Sequence, residues 1–217
     1  MLDYLKEIAA IRSECSAHAN RLYLKYGLAE GSPPIGALGI CFNNLTIALE
    51  LADFYYSVWG HPDATPGPGL TIDQARQQNS ERLTHIGKSL FVEVMSACEF
   101  QAKEANKAYL SVLEITKSRP YLSDIIHRSK VRGLVAEDVK LLWDGCFKIR
   151  NCLVHNNGVA DETAEWQFAP NLKVVFEDRK MSVGTILTTP RLSKWVIAAY
   201  ADWCDKFLAA AGLSKAP

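Results

Sequence analysis

Apolar residues recur at steps of three and four residues through most of this 217-residue chain, and this spacing is the strongest constraint on its fold. It places the apolar side chains on one face of an α-helix. The pattern predicts long helical segments within residues 2–27, 37–59, 71–117, 138–155 and 189–211, and a short one near residues 121–130. Thr71-Ile72-Asp73-Gln74 has the form of a capping box, and we expect a break in the helix that it opens near Asn79 or Gly87. The sequence therefore predicts an all-α protein, a helical bundle.

One segment follows a different period. Residues 171–184 alternate between apolar and polar side chains as β-strands do, with Glu177-Asp178-Arg179-Lys180 as the expected turn. We expect a small β-hairpin here, just before the C-terminal helix.

A loop rich in proline and glycine divides the chain. Residues 60–70 contain three prolines and three glycines, a composition typical of loops. We expect an N-terminal helical pair and this loop, residues 1–70, packed on the core of a helical domain that covers residues 71–217. The second helix of the pair is apolar nearly all round, which is typical of a central helix or of one at an interface. Its polar residues either line a cleft or face water; they are Asn43, Asn44, Glu50 and Asp53.

Composition narrows the classes of function. Twenty-four basic and twenty-four acidic residues leave no net charge, which argues against binding long nucleic acids by phosphate neutralisation alone. A small basic cluster, His127 to Arg132, is typical of a solvated face.

The six cysteines lack zinc-site spacing, which predicts reduced thiols in the core. Charged residues or asparagine interrupt each apolar run, so we expect a cytoplasmic protein with no membrane partner.

The residues that could take part in catalysis lie at the end of the segment 138–158. Its apolar positions predict a core-facing stripe, and they are Val139, Leu142, Trp143, Cys146, Ile149 and Leu153. Helical geometry places Arg150 close to the middle of that stripe, where a guanidinium needs an acceptor. Glu93 and Glu99 are the candidate acceptors. His155 falls in the last turn, before a stop signal at residues 156–158.

The six residues from Arg150 to His155 resemble the Arg-x4-6-His motif of HEPN domains (higher eukaryotes and prokaryotes nucleotide-binding), in which a polar residue follows the arginine. The helical context from about residue 80 to 212 also resembles that family. Arg12 and His18 meet the same spacing, but they lack an asparagine after the arginine, a position at a helix end and a stop signal after the histidine. The resemblance implies an all-α, HEPN-like bundle that is usually dimeric and often a metal-independent RNase of toxin-antitoxin, phage-defence or RNA-processing systems.

The resemblance also implies roles for these residues. His155 would be the general acid or base, Arg150 the phosphate clamp and Asn151 an orienting hydrogen-bond partner. On a regular helix Arg150 and His155 point about 140° apart. In the family, two motif helices meet across a twofold axis, so we expect a homodimer with one shared cleft. RNA is the expected substrate, an antitoxin protein is a candidate partner, and no cofactor or metal is expected.

Two other interpretations stay open. The chain could be a non-catalytic HEPN-like interaction or dimerisation module, in which Arg150 forms a structural ion pair and His155 caps the helix. It could also be a helical protein unrelated to this family.

Overall fold

The computed structural model describes residues 2–57, 69–156, 158–180 and 189–213. Over these residues the protein is mostly helical, with seven helices and a two-stranded antiparallel hairpin before the last helix. The elements are α1 Leu2–Tyr26, α2 Gly36–Tyr55, α3 Ile72–Ala108, α4 Leu110–Leu113, α5 Leu122–Val131, α6 Glu137–His155, β1 Ala164–Ala169, β2 Leu172–Phe176 and α7 Thr189–Ala210. The prediction of an all-α protein with a small hairpin is confirmed at this level.

Helix α3 is the longest element and runs through the middle of the fold. The predicted capping box is present: the Gln74 amide donates to Thr71 Oγ1 at 3.2 Å, and the Thr71 amide donates to Gln74 Oε1 at 2.9 Å. The predicted break near Asn79 or Gly87 is wrong, because the helix continues to Ala108. Gly87 instead allows a close approach, since a Cβ there would lie 2.8 Å from Thr189 Oγ1 of α7.

The N-terminal pair α1 and α2 packs on α3 and α7, and its buried residues join one continuous hydrophobic core with the rest of the chain. The buried stripe of α1 repeats at helical spacing: Ile8, Ile11, Cys15, Ala19, Leu22 and Tyr26. Most of the loop predicted at 60–70 lies outside the described residues, so a boundary at residue 70 stays a prediction.

The C-terminal helix α7 closes the bundle, as the sequence predicts. Its buried face carries Tyr200 and Trp203, and the Trp203 indole donates to Ser129 Oγ of α5 at 2.8 Å. Tyr200 donates to the carbonyl of Pro34 at 3.2 Å. Gly212 then adopts φ +76°, the left-handed conformation that ends a helix.

The hairpin lies earlier in the chain than predicted. Its turn is at Pro170 and Asn171, and Trp166 of β1 pairs with Val174 of β2. The residues predicted as the turn, 177–180, do form a turn, but it folds back onto Ala160, which accepts from the Arg179 amide at 2.9 Å. The predicted second strand at 181–184 lies outside the described residues.

Two features of the structure can be compared with the expectation of a cytoplasmic protein without a membrane partner: the state of the cysteines and the composition of α2. All six cysteines are buried and free, which confirms their prediction as core thiols. Helix α2 is nonetheless long and apolar enough to cross a membrane by length and composition, with a mean hydropathy of 1.3. Core helices of soluble proteins meet the same criterion, and one third of the α2 window is buried inside this fold. The expected lack of a membrane partner stays a prediction.

Candidate functional site

Helix α6 presents the motif at its C-terminal end. Its predicted core face is largely confirmed, with Trp143, Cys146, Ile149 and Leu153 buried against the bundle and Val139 and Leu142 half-buried. The helix ends at His155, where the amides of Asn156 and Gly158 both donate to the Cys152 carbonyl, at 3.2 and 3.0 Å. Gly158 adopts φ +85°, which agrees with the predicted stop signal. His155 is therefore exposed at a helix terminus that backbone contacts hold in place.

Helical geometry predicted Arg150 close to the middle of the buried stripe, and this prediction is wrong. Arg150 is half-buried at the edge of the stripe, while Ile149 beside it enters the core. The Arg150 Nε atom is buried without a hydrogen-bond partner, and no described carboxylate lies within 4.0 Å of its guanidinium. A buried guanidinium nitrogen without an acceptor is unfavourable by about 1–3 kcal/mol. The site therefore holds a cation that no described protein group neutralises.

Neither of the two expected acceptors forms an ion pair with Arg150. Glu99 is bound instead by Lys103, whose ammonium lies 2.5 Å from Glu99 Oε1 one turn further along α3. Glu93 lines a different groove, between α2 and α3. Helical periodicity can identify acidic residues near the stripe, but it cannot predict which basic side chain forms an ion pair with each of them.

Arg150, Asn151 and His155 all line one cleft of about 350 Å³. Helices α3, α5 and α6 form its walls. The other lining residues are Met95, Glu99, Tyr121, Leu122, Ser123 and Phe147. All three predicted site residues thus border the same space within a single chain.

The motif helix stays regular through His155, so the last turn does not unwind to bring the two charged groups together. Arg150 and His155 both line the cleft, and on a regular helix they point about 140° apart, with Phe147 and Asn151 between them in angular order. Among the described residues, the site shows no hydrogen bond between Arg150 and His155. The arrangement leaves room for a ligand between a guanidinium and an imidazole.

A second cleft, of about 550 Å³, adjoins the first. Asn151 and His155 line both, together with Lys148, Cys152, Asn156, Asp161 and Glu162 in the second. Lys148 forms an ion pair with Glu162 across it. The Asn151 and His155 side chains therefore border both clefts, the first of which also has Arg150 and Glu99 on its wall and the second Asp161 and Glu162.

The sequence did not single out Tyr121, which lies on the rim of the 350 Å³ cleft with 63% of its surface exposed. The ammonium groups of Lys103 and Lys117 lie 5.6 and 5.0 Å from its ring centroid. Lys117 also donates to Asp124 at 2.7 Å, and this hydrogen bond lowers the pKa of the Asp124 carboxyl group. No periodicity marks Tyr121, because its position depends on how α5 packs against α3.

The basic cluster at the end of α5 serves the fold. Arg128 donates from Nε to the Leu113 carbonyl at 2.8 Å and lies 3.6 Å from Glu114. Arg132 also pairs with Glu114, and Lys130 lies 2.5 Å from Glu137. These contacts agree with the predicted solvated face.

Arg12 and His18, which share the motif spacing, lie on α1. The Arg12 guanidinium stands 5.7 Å from the ring centroid of Phe42, and burial lowers the pKa of the half-buried His18.

In the part of the chain that the structure describes, no three His, Cys, Asp or Glu side chains gather as metal ligands. Comparison of the chain with protein-family models, curated proteins and solved structures finds no match.

Proposed function

We propose that this protein is a metal-independent endoribonuclease of toxin or phage-defence type, built on a HEPN-like helical bundle and acting on RNA in the cytoplasm. The observation that carries the proposal is the Arg150 guanidinium, which lacks a described carboxylate partner and lines the same cleft as His155 and Asn151. An arginine that serves only the fold would be expected to have an acceptor. An arginine that binds a substrate phosphate has to leave its donors free for the ligand.

These residue types match the chemistry of RNA cleavage. The 2′-oxygen attacks phosphorus, the bond to the 5′-oxygen breaks, and a 2′,3′-cyclic phosphate forms. One proton leaves the 2′-hydroxyl and one joins the 5′-oxygen. An imidazole can accept the first or donate the second. The forked donors of Arg150 would stabilise the charge that develops on the phosphoryl oxygens. Asn151 lies one turn before His155 and would orient the imidazole or the substrate.

A homodimer would supply the second imidazole. The outer face of α6 repeats at steps of three and four residues, and it consists of Leu141, Asp144, Lys148, Asn151 and His155. Leu141, Lys148, Asn151 and His155 of this face are exposed and Asp144 is half-buried, so the face is open beside the clefts that Asn151 and His155 line. If two such faces meet across a twofold axis, both copies of His155 and Arg150 border one cleft, and one imidazole acts as base while the other acts as acid. An antitoxin protein that covers this face is the natural inhibitor of such a site.

The test is incubation of the purified protein with a mixed pool of labelled RNAs in excess EDTA. The variant His155→Ala removes the proposed acid or base. The variant His127→Ala is the matched control, because it removes a histidine of α5 that does not line either cleft described above. We expect the wild type and His127→Ala to leave 2′,3′-cyclic phosphate ends, and His155→Ala to leave the RNA intact.

Equal cleavage by all three proteins would identify a contaminating nuclease. Absence of cleavage by all three would contradict the proposal. It would favour the alternative that the chain is a non-catalytic interaction or dimerisation module of the same helical architecture.

A further inference from the structure

Helix α2 carries an apolar seam on a face that packs against none of the other described helices. Ile40, Asn44, Ile47, Leu51 and Phe54 follow one another at steps of four, three, four and three residues. This is the spacing of the a and d positions of a coiled coil, with Asn44 and Leu51 at a and the others at d. Ile47, Leu51 and Phe54 are 55%, 44% and 56% exposed, although the residues that face α1 and α3 are buried. We call these five residues the α2 seam.

Asn44 is the one polar residue of the α2 seam. Its Nδ2 atom is shielded from water and has no hydrogen-bond partner among the described residues. A shielded amide group without a partner is unfavourable, because it has lost its hydrogen bonds to water and gained none in the protein. In parallel two-stranded coiled coils, a single asparagine at an a position bonds to its counterpart in the other helix, and it fixes both register and the number of strands. Because Nδ2 is shielded within the chain, the Asn44 amide has to turn over to place this donor on the open side of α2, where the Oδ1 atom of a second Asn44 can accept from it.

The seam borders a groove of about 520 Å³ between α2 and α3, in which apolar surface predominates. The two helices run antiparallel, with Tyr55 level with Arg82, whose guanidinium lies 5.3 Å from the Tyr55 ring centroid. Arg82 and His85 lie on the α3 wall of the groove. Glu50 is exposed on the opposite flank of the seam, and no ion pair to it is found among the described residues.

A twofold rotation about an axis parallel to α2 brings these charges together. It turns the flank that carries Glu50 toward the α3 wall of the other copy. Because α2 and α3 are antiparallel, the partner subunit's Glu50 arrives within about one helical turn of His85, with Arg82 on the next turn. The same operation repeats each contact on the other side, as an isologous interface requires. The open apolar face, the heptad spacing of the α2 seam and the opposite charges on its two flanks therefore all favour a second copy of this chain as the binding partner.

We propose that a second copy of this chain binds to the α2 seam, so that two α2 helices pair in parallel, Asn44 against Asn44, with both α3 helices flanking them. Burial of three exposed apolar side chains per copy stabilises such a pair, because it removes apolar surface from water. The interface is separate from the outer face of α6, because the main packing partners of α2 are α1 and α3. It therefore does not depend on the proposed nuclease activity.

Disulfide trapping tests the parallel pairing directly. Asn44→Cys places a thiol at the position that faces itself across the twofold axis, while Asp53→Cys places one on the exposed flank of the same helix, away from the seam. The six native cysteines are buried, so they contribute little background. Under mild oxidation we expect a disulfide-linked dimer of Asn44→Cys and none of Asp53→Cys. Equal trapping of both variants, or of neither, overturns the proposal.

Light scattering at matched concentration gives the independent measurement. Ile47→Lys introduces a charge in the centre of the seam, and Leu24→Lys makes the same change at an α1 residue that is 83% exposed. We expect Ile47→Lys to have half the mass of the wild type, with Leu24→Lys unchanged. If Ile47→Lys keeps the wild-type mass, the proposal is wrong. If the wild type is monomeric and binds lipid vesicles in a way that Ile47→Lys abolishes, the seam faces a membrane surface, and the proposal is wrong in that case too.

Discussion

The indole ring of Trp166 lies so close to Gly145 that a Cβ at position 145 would stand 2.7 Å from the ring atoms Cγ and Cδ1. This contact seats strand β1 on the middle of the motif helix. Trp166 is also held by Phe176 of β2, with the ring centroids 5.2 Å apart in an edge-to-face arrangement. The hairpin is therefore fixed to α6 by an approach that only glycine allows.

Replacement of Gly145 by alanine should destabilise the protein, although alanine favours helix formation. The added methyl group has to displace the indole, and overpacking of this kind costs about 1–3 kcal/mol. The gain in helix propensity recovers about 1 kcal/mol of that. Urea denaturation should show a net loss of about 1 kcal/mol. Gly39→Ala is the matched control, since a Cβ at Gly39 of α2 meets nothing within 4 Å, and that variant should gain up to about 1 kcal/mol.

The contact between α1 and α7 predicts a pH dependence of stability. Tyr26 donates to the Asp205 carboxylate at 2.5 Å, and the Lys25 ammonium lies 2.5 Å from the same oxygen. Burial alone would raise the pKa of Asp205, but the hydrogen bonds from Lys25 and Tyr26 outweigh it and lower the pKa. A lowered pKa in the folded state means that this contribution to stability is present above the unfolded value, about 3.9, and is lost as the pH falls through the folded value.

We therefore expect Asp205→Asn to lose about 1–2 kcal/mol of unfolding free energy at pH 7. The difference from the wild type should shrink as the pH falls below about 4. Asp202→Asn is the control on the same helix, because Asp202 is 60% exposed and forms a surface ion pair with Lys206 at 2.7 Å. That variant should differ from the wild type by about 0.5 kcal/mol or less. A constant difference between Asp205→Asn and the wild type from pH 7 to pH 3 would contradict the assignment.

The helices could be predicted from the sequence because their evidence is local. Apolar spacing and the capping residues Thr71 and Gln74 are contained in short stretches of chain. The hairpin was misplaced because two alternating stretches compete: the pattern begins again at Asn171, but Trp166 and Phe168 before it already alternate. Only packing selects the turn at Pro170, since Phe168 is then buried against Trp195, with ring centroids 5.2 Å apart.

The candidate site was only partly predictable for the same reason. The motif residues Arg150, Asn151 and His155 lie within one and a half helical turns, so the sequence alone could group them. The opposite wall of the cleft comes from Glu99 and Tyr121, which are distant in the chain. Their positions depend on how α3 and α5 pack, and helical periodicity carries no information about this.

The stability of Arg150 variants distinguishes a binding residue from a structural one. Arg150 has no described ion-pair partner, so Arg150→Met, which keeps the length of the side chain, should be neutral or stabilising by up to about 1 kcal/mol. Arg128→Met is the control, because Arg128 donates to the Leu113 carbonyl and forms an ion pair with Glu114. It should lose about 1 kcal/mol. If Arg150→Met lowers the unfolding free energy as much as Arg128→Met does, Arg150 serves the fold.

The rates of RNA cleavage by substituted proteins should distinguish the roles of the three motif residues. Removal of the imidazole in His155→Ala should slow single-turnover RNA cleavage by at least about 100-fold, the usual contribution of a general acid or base. Arg150→Lys keeps the charge but loses the two-pronged contact to a phosphate, so it should retain more activity than Arg150→Ala and less than the wild type. Asn151→Ala should lose about tenfold, because it removes one hydrogen bond to an oriented group. A wild-type rate for Arg150→Ala would remove Arg150 from the proposed site.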